Sequence, residues 1–141
     1  MSMKILIVDD EKEIRKMLKR HYTFKGFHVE TANNGVHALE ILDSQRIDIV
    51  ISDIMMPEMD GIELLRNIRS QYPMIRPIMI TGYVTLQNAM AAMRLQAETC
   101  IFKPLEDLSE LDDAVHLAGN RLKNWQEKFR ILKGMKKIPE K

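Results

Sequence analysis

The sequence predicts a doubly wound α/β fold: a five-stranded parallel sheet followed by an extended C-terminal helix. Two observations carry this. Up to Pro104, short apolar runs bounded by turn or charged residues alternate with segments of helical period, the pattern of buried parallel strands joined by crossover helices. From Leu108 to Leu132, apolar residues recur at 3-4 spacing with no turn signal between them. The length, 141 residues, is that of one domain with a core of its own, and 45% hydrophobic with 29% charged residues is a folding rather than a disordered composition.

Lys4-Ile-Leu-Ile-Val8, stopped by Asp9 and Asp10, reads as the first strand. Ile14, Met17, Leu18 and Tyr22 follow at helical spacing and Gly26 stands where a helix ends, which predicts a helix over 11–25. Phe27 to Thr31 is a weaker strand. Asn33-Asn34-Gly35 then marks a turn before a short helix carrying Ala38, Leu39, Ile41 and Leu42. Ile47 to Ile51 is the third strand, leading to Ser52 and Asp53; a loop with Pro57 and Gly61 follows, then a helix with Ile62, Leu65 and Ile68. Pro77 to Ile80 is the fourth strand and ends at Thr81-Gly82. Thr85 can cap the next helix, with Met90, Met93, Ala89 and Leu95 inward. Thr99 to Phe102, closed by Lys103-Pro104, is the fifth strand, and a last helix over 105–133 completes the chain. Residues 3–120 form the globular domain and 121–141 a helical extension.

Charge and cysteine content exclude several functions. Lys plus Arg number 21 and Asp plus Glu 20, so the net charge of +1 supplies no global field toward nucleic acid or anionic membranes. The one cysteine, Cys100, excludes an intramolecular disulfide and a thiolate zinc site. The N-terminal apolar run is too short for a secretory signal and no stretch is long enough to cross a bilayer, so a cytoplasmic location is expected. Met1-Ser2 ahead of Met3 reads as an addition to the native start.

Ligand sites of such sheets lie beyond the carboxyl ends of the strands, at the switch point of strand order. That rule gathers Asp9, Asp10, Asp53, Thr81 and Lys103 on one edge. Singly, each acid could merely cap a helix. Together, three carboxylates would repel one another unless they hold a cation, and an all-oxygen donor set suits Mg²⁺. Beside such a metal an aspartate can attack a phosphoryl group, with Lys103 and Thr81 stabilising the transferred oxygens. Asp53, which follows the most central strand, is the natural acceptor, and Asp9 and Asp10 are the metal's acids.

The stretches Lys4-Ile-Leu-Ile-Val-Asp-Asp-Glu11, Asp53-Ile-Met-Met-Pro-Glu-Met-Asp-Gly61 and Lys103-Pro104 resemble, in order and spacing, the motifs of response-regulator receiver domains of two-component signalling, a flavodoxin-like family. The similarity covers about residues 3–120. It implies that Asp53 receives a phosphoryl group from the phosphohistidine of a histidine kinase or phosphotransfer protein. It implies Mg²⁺ on Asp10, Asp53 and the Met55 backbone carbonyl, with Asp9 acting through a metal-bound water. It further implies that Lys103 pairs with the phosphoryl group or with Asp53, that Thr81 swings in to report phosphorylation, and that a cis bond joins Lys103 to Pro104.

Two departures stand near the fifth strand, of which Cys100 bears on output and Gln96 on the turn alone. Cys100 stands where the family has a switch aromatic, Phe102 is the one nearby ring that could substitute, and Gln96 occupies a common glycine position. In the family the positions of Met55 and Tyr83 flank the path of an attacking water, and Met55 cannot orient it, so the resemblance implies slow self-dephosphorylation unless Met55 merely packs with Met56 and Met59. Two rival readings are a receiver-like interaction scaffold that needs no phosphorylation and a Mg²⁺-dependent phosphohydrolase. Against the latter, Met55 replaces a common second acid and no cap domain fits the length.

The last helix carries Leu108, Leu111, Val115, Ala118, Leu122, Trp125, Phe129 and Leu132 as a heptad seam, with acids toward its start and bases toward its end. At about 43 Å it would exceed a domain of about 30 Å, leaving Leu122, Trp125, Phe129 and Leu132 to overhang. A homodimer through this helix or through the fourth-helix face, a signalling helix toward an effector, and a helix folded back on its own domain are the alternatives. Neither membrane nor nucleic acid is an expected partner.

Overall fold

The computed structural model describes residues 3–82 and 85–134. Met1-Ser2, Tyr83 and the basic residues after Gly134 lie outside the described residues. Five parallel strands, β1 (Lys4–Val8), β2 (His28–Ala32), β3 (Ile49–Asp53), β4 (Arg76–Thr81) and β5 (Cys100–Phe102), alternate with α1 (Lys12–Phe24), α2 (Gly35–Ser44), α3 (Gly61–Gln71), α4 (Leu86–Arg94) and α5 (Ser109–Gly134). The order is β2-β1-β3-β4-β5, so the winding reverses between β1 and β3. Register pairs Val8 with Ser52, Asp53 with Ile80 and Thr81 with Phe102, which brings the ends of these strands to one edge.

Alternation of side chains along the strands builds the two layers. Ile5, Ile7, Ile49, Ile51, Ile78 and Ile80 face α1 and α5, where Leu18, Tyr22, Leu111, Val115 and Ala118 meet them. Leu6, Val8 and Val50 face the other way, against Ala38 and Leu42 of α2 and Leu64 and Ile68 of α3. Ile54, Ile62, Leu65, Met79 and Ala92 form a smaller cluster under α4.

Local chemistry sets the helix ends. Asn34, Asp60 and Thr85 each accept the backbone N–H three residues on, at 2.8, 2.8 and 3.0 Å. α1 ends in a Schellman motif: Gly26 at φ +99° donates to Thr23, and Phe27 to Tyr22. The C-terminus of α4 repeats this motif without glycine, since Gln96 sits at φ +63° and donates to Met93 while Ala97 donates to Ala92.

Several expectations need correction. Met93 points outward, 68% exposed, and Ala92 takes the inward place, because α4 turns its small residues toward Ile62 and Leu65. The last helix begins at Ser109, where Asp107 accepts the Ser109 N–H at 2.9 Å, and residues 105–108 form the connection. Its 26 residues span about 39 Å. Leu122 is buried with the core and does not overhang. Among the described residues no helix is long and apolar enough to cross a membrane.

Candidate functional site

Four strands deliver the site. Asp9 follows β1 and is fully buried, Asp53 ends β3 and Thr81 ends β4, both buried, while Asp10 is exposed. Lys103 follows β5; its backbone N–H donates to the Thr81 carbonyl at 2.8 Å, and a cis bond joins it to Pro104. The Lys103 ammonium converges on three carboxylates: Glu11 Oε2 at 2.8 Å, Asp9 Oδ2 at 2.9 Å and Asp53 Oδ2 at 3.0 Å. The contacts to Glu11 and Asp53 are hydrogen bonds, whereas Asp9 Oδ2 is paired by charge without hydrogen-bond alignment. Asp9 Oδ1 accepts the Glu11 N–H at 2.8 Å, and Asp53 Oδ1 accepts the Met55 N–H at 3.3 Å.

The loop after Asp53 depends on one glycine. A Cβ on Gly61 would lie 2.0 Å from the Asp53 carbonyl oxygen, so only glycine lets α3 start against the strand end, and its N–H closes the loop onto the Ile54 carbonyl at 2.8 Å. Met56 and Met59 pack against the core cluster that holds Ala38 and Leu42 of α2, and Met55 is 49% exposed.

Electrostatics follow from burial. Desolvation pushes the Asp9 carboxyl above its ordinary range, the Glu11 amide and Lys103 pull it down, and the charge of Asp53 adds to the rise. Burial alone would depress Lys103; the carboxylates of Glu11, Asp9 and Asp53 outweigh it and hold the amine above an ordinary lysine, so it is a fixed cation. Ligand atoms of Asp9, Asp10 and Asp53 all lie within 4.8 Å of one another. That trio, with oxygen donors alone and one buried carboxylate oxygen lacking a hydrogen bond, could hold a hard cation.

Asp9, Asp10, Asp53 and Lys103 thus converge on one edge, and Thr81 lies buried at the strand end beside them. Glu11 joins them although the sequence places it only at the start of α1; it occupies the N-cap, where its carbonyl accepts the Arg15 N–H, but its side chain caps nothing in its own helix and turns to Lys103 instead. Its run with Asp9 and Asp10 is the one mark it carries in the sequence, and that run does not aim its carboxylate at Lys103. Phe102, at the end of β5, is 57% exposed, while Cys100 is half-buried beside the α4 cluster.

Comparison with known proteins points the same way. The model of the response regulator receiver domain matches residues 5–116. Regulatory protein AtoC of Escherichia coli (strain K12) is 41% identical over 115 residues, which are 82% of this chain and 25% of AtoC. The chain spans a quarter of that protein and about half of other curated relatives it matches. A response regulator receiver domain protein from Clostridium thermocellum superimposes with TM-score 0.81 at 34% identity, covering 87% of this chain and 98% of that one. Response regulator protein TrrA from Thermotoga maritima, solved in complex with Mg²⁺-BeF, gives 0.74 at 32% identity, with coverage of 82% and 98%.

Proposed function

Since the chain belongs to the family of response regulator receiver domains, we propose that Asp53 accepts a phosphoryl group from the phosphohistidine of a histidine kinase or phosphotransfer protein. One observation carries the reading: Asp53 presents one oxygen to the Lys103 ammonium at 3.0 Å while its carboxyl group lies within the trio of acids. An oxygen of Asp53 bonds to phosphorus, the bond from phosphorus to the histidine nitrogen breaks, and the electron pair leaves with the imidazole. Lys103, cationic and placed on Asp53 Oδ2, neutralises charge gained by the phosphoryl oxygens. Thr81, buried at the end of the neighbouring strand, offers its hydroxyl to the same group. Mg²⁺, held by Asp10, Asp53 and the Met55 carbonyl with Asp9 acting through water, would supply further charge neutralisation and orientation. The solved complex of TrrA with Mg²⁺-BeF supports this choice of ion. Residues 3–120 are then the receiver and 121–141 its extension.

A phosphorylation-independent scaffold remains the second reading, favoured by the exposed Phe102 and the half-buried Cys100 at the output strand. Incubation with Mg²⁺ and acetyl phosphate separates the two. Wild type should gain the mass of one phosphoryl group and Asp53→Asn none; absence of an adduct on wild type would leave the scaffold.

A further inference from the structure

Beyond Leu122, α5 carries an apolar stripe that no described residue covers. Trp125 is 54%, Phe129 41% and Leu132 52% exposed, and the first two rings stack with centroids 5.8 Å apart. They continue the seam whose earlier members, Leu111, Val115, Ala118 and Leu122, are buried on the sheet. In heptad terms Leu122 and Phe129 are a residues and Trp125 and Leu132 d residues, so Arg121 and Lys128 fall at g and Gln126 and Lys133 at e. Arg121 is drawn back to its own domain by Glu98 at 2.6 Å. The one acid of the overhang, Glu127, lies off the seam and is taken by Arg130, also at 2.6 Å.

We propose that this overhang is a docking surface for an acidic amphipathic helix of another protein, which lies along it as a two-stranded coil. Charge selects that occupant. With a second copy in parallel register, Lys128 at g would face Lys133 at e of its mate, twice per pair. An antiparallel copy pairs g with g and e with e, and no acid stands at either position. A partner with Glu at e and g instead gives attraction at Lys128 and Lys133. Geometry disfavours a bilayer: an interfacial helix needs a broad apolar face, and here Gln126, Lys128 and Lys133 border a two-position stripe directly. The surface lies on α5 beyond the segment packed on the sheet, and the inference does not depend on phosphorylation of Asp53.

Trp125 is the chain's single tryptophan, so its emission reads the stripe directly. The full chain is titrated with two synthetic three-heptad peptides, both with Leu at a and d, one with Glu and one with Lys at e and g. The Glu peptide should shift Trp125 emission to the blue saturably, bind at least tenfold tighter than the Lys peptide, and weaken with added salt. K128E/K133E should invert the preference, and Phe129→Ser, at an exposed position, should weaken binding at least tenfold with the fold unchanged by circular dichroism. Equal affinity for both peptides, or no shift with either, overturns the proposal. So does a dimer in sedimentation that Phe129→Ser abolishes, which would assign the stripe to a second copy. A blue shift with phosphatidylglycerol vesicles but none with the Glu peptide would assign it to a membrane.

Discussion

Lys103 serves three carboxylates at 2.8–3.0 Å, yet Asp9 still has its proton affinity raised, because burial of an ion costs more than a third share of one ammonium returns. The native state therefore binds the Asp9 proton more tightly than the unfolded chain does. That contribution is fully present below the unfolded value and is lost as pH rises through the native one, leaving ionised Asp9 a burden at neutral pH. Asp9→Asn keeps an acceptor for the Glu11 N–H, and Lys103 keeps Asp53 and Glu11. The variant should gain on the order of 1 kcal/mol at pH 7 in chelator, with the gain shrinking toward pH 4. Urea unfolding at both pH values checks this, and a variant less stable than wild type at pH 7 would contradict it. If Asp53 is phosphorylated as proposed, Met55 bears on the reverse chemistry. Its exposed thioether offers no hydrogen bond to a water approaching phosphorylated Asp53, so the adduct should be long-lived. Met55→Asn should shorten the lifetime roughly tenfold, the worth of one hydrogen bond of about 1.4 kcal/mol in the transition state. Phosphate release over time measures it, and an unchanged lifetime would remove Met55 from that role.

At the scale of elements, α1 and α4 end in the same hydrogen-bonding motif with different residues in the left-handed position. Gly26 holds φ +99° without a Cβ penalty, whereas Gln96 holds φ +63° against it, with its side chain bonded to Arg69 at 2.6 Å. Gln96→Gly should stabilise the protein by about 1 kcal/mol, since the relieved strain exceeds the loss of one exposed hydrogen bond and the added freedom of the unfolded chain. At this size that is about 3 °C in Tm; a lower Tm would show that the Arg69 contact matters more. The contrast explains what the sequence made legible. The end of α1 was readable because glycine announces the conformation, and the strand-end acids were readable because unbroken apolar runs locate the ends of buried strands. Gln96 carries no such mark. Nor did spacing reveal that α4 turns Ala92 inward and Met93 outward, a choice set by the room beside Ile62 and Leu65. The turn of Glu11 toward Lys103 was equally hidden, because spacing fixes where an N-cap residue stands but not whether its carboxylate bonds its own helix or a lysine brought 92 residues from it by folding.

For the whole molecule, the net charge of +1 conceals a separation of charge. Acids collect at the carboxyl edge of the sheet and at the start of α5, and bases gather at its far end beyond Leu122. The acidic edge has two competitors for its charge. Lys103 sits 2.9 Å from Asp9 and 3.0 Å from Asp53, in contact with two of the three acids that would hold a divalent cation. If the trio binds Mg²⁺ only when folded, added ion raises stability by mass action, about 1.4 kcal/mol at ten times the dissociation constant. Asp10→Asn, at an exposed position whose loss leaves the core intact, should remove most of that increment with little effect in chelator. Lys103→Met should act in the opposite sense: it destabilises the metal-free protein by leaving buried Asp9 and Asp53 without their cation, and it enlarges the stabilisation given by Mg²⁺, because the ion then meets no ammonium beside its ligands. Thermal unfolding against Mg²⁺ concentration for the three proteins tests this directly. A Lys103→Met increment smaller than that of wild type would mean that the lysine holds the carboxylates in place for the metal rather than competing with it, and the electrostatic account of the edge would have to be reversed.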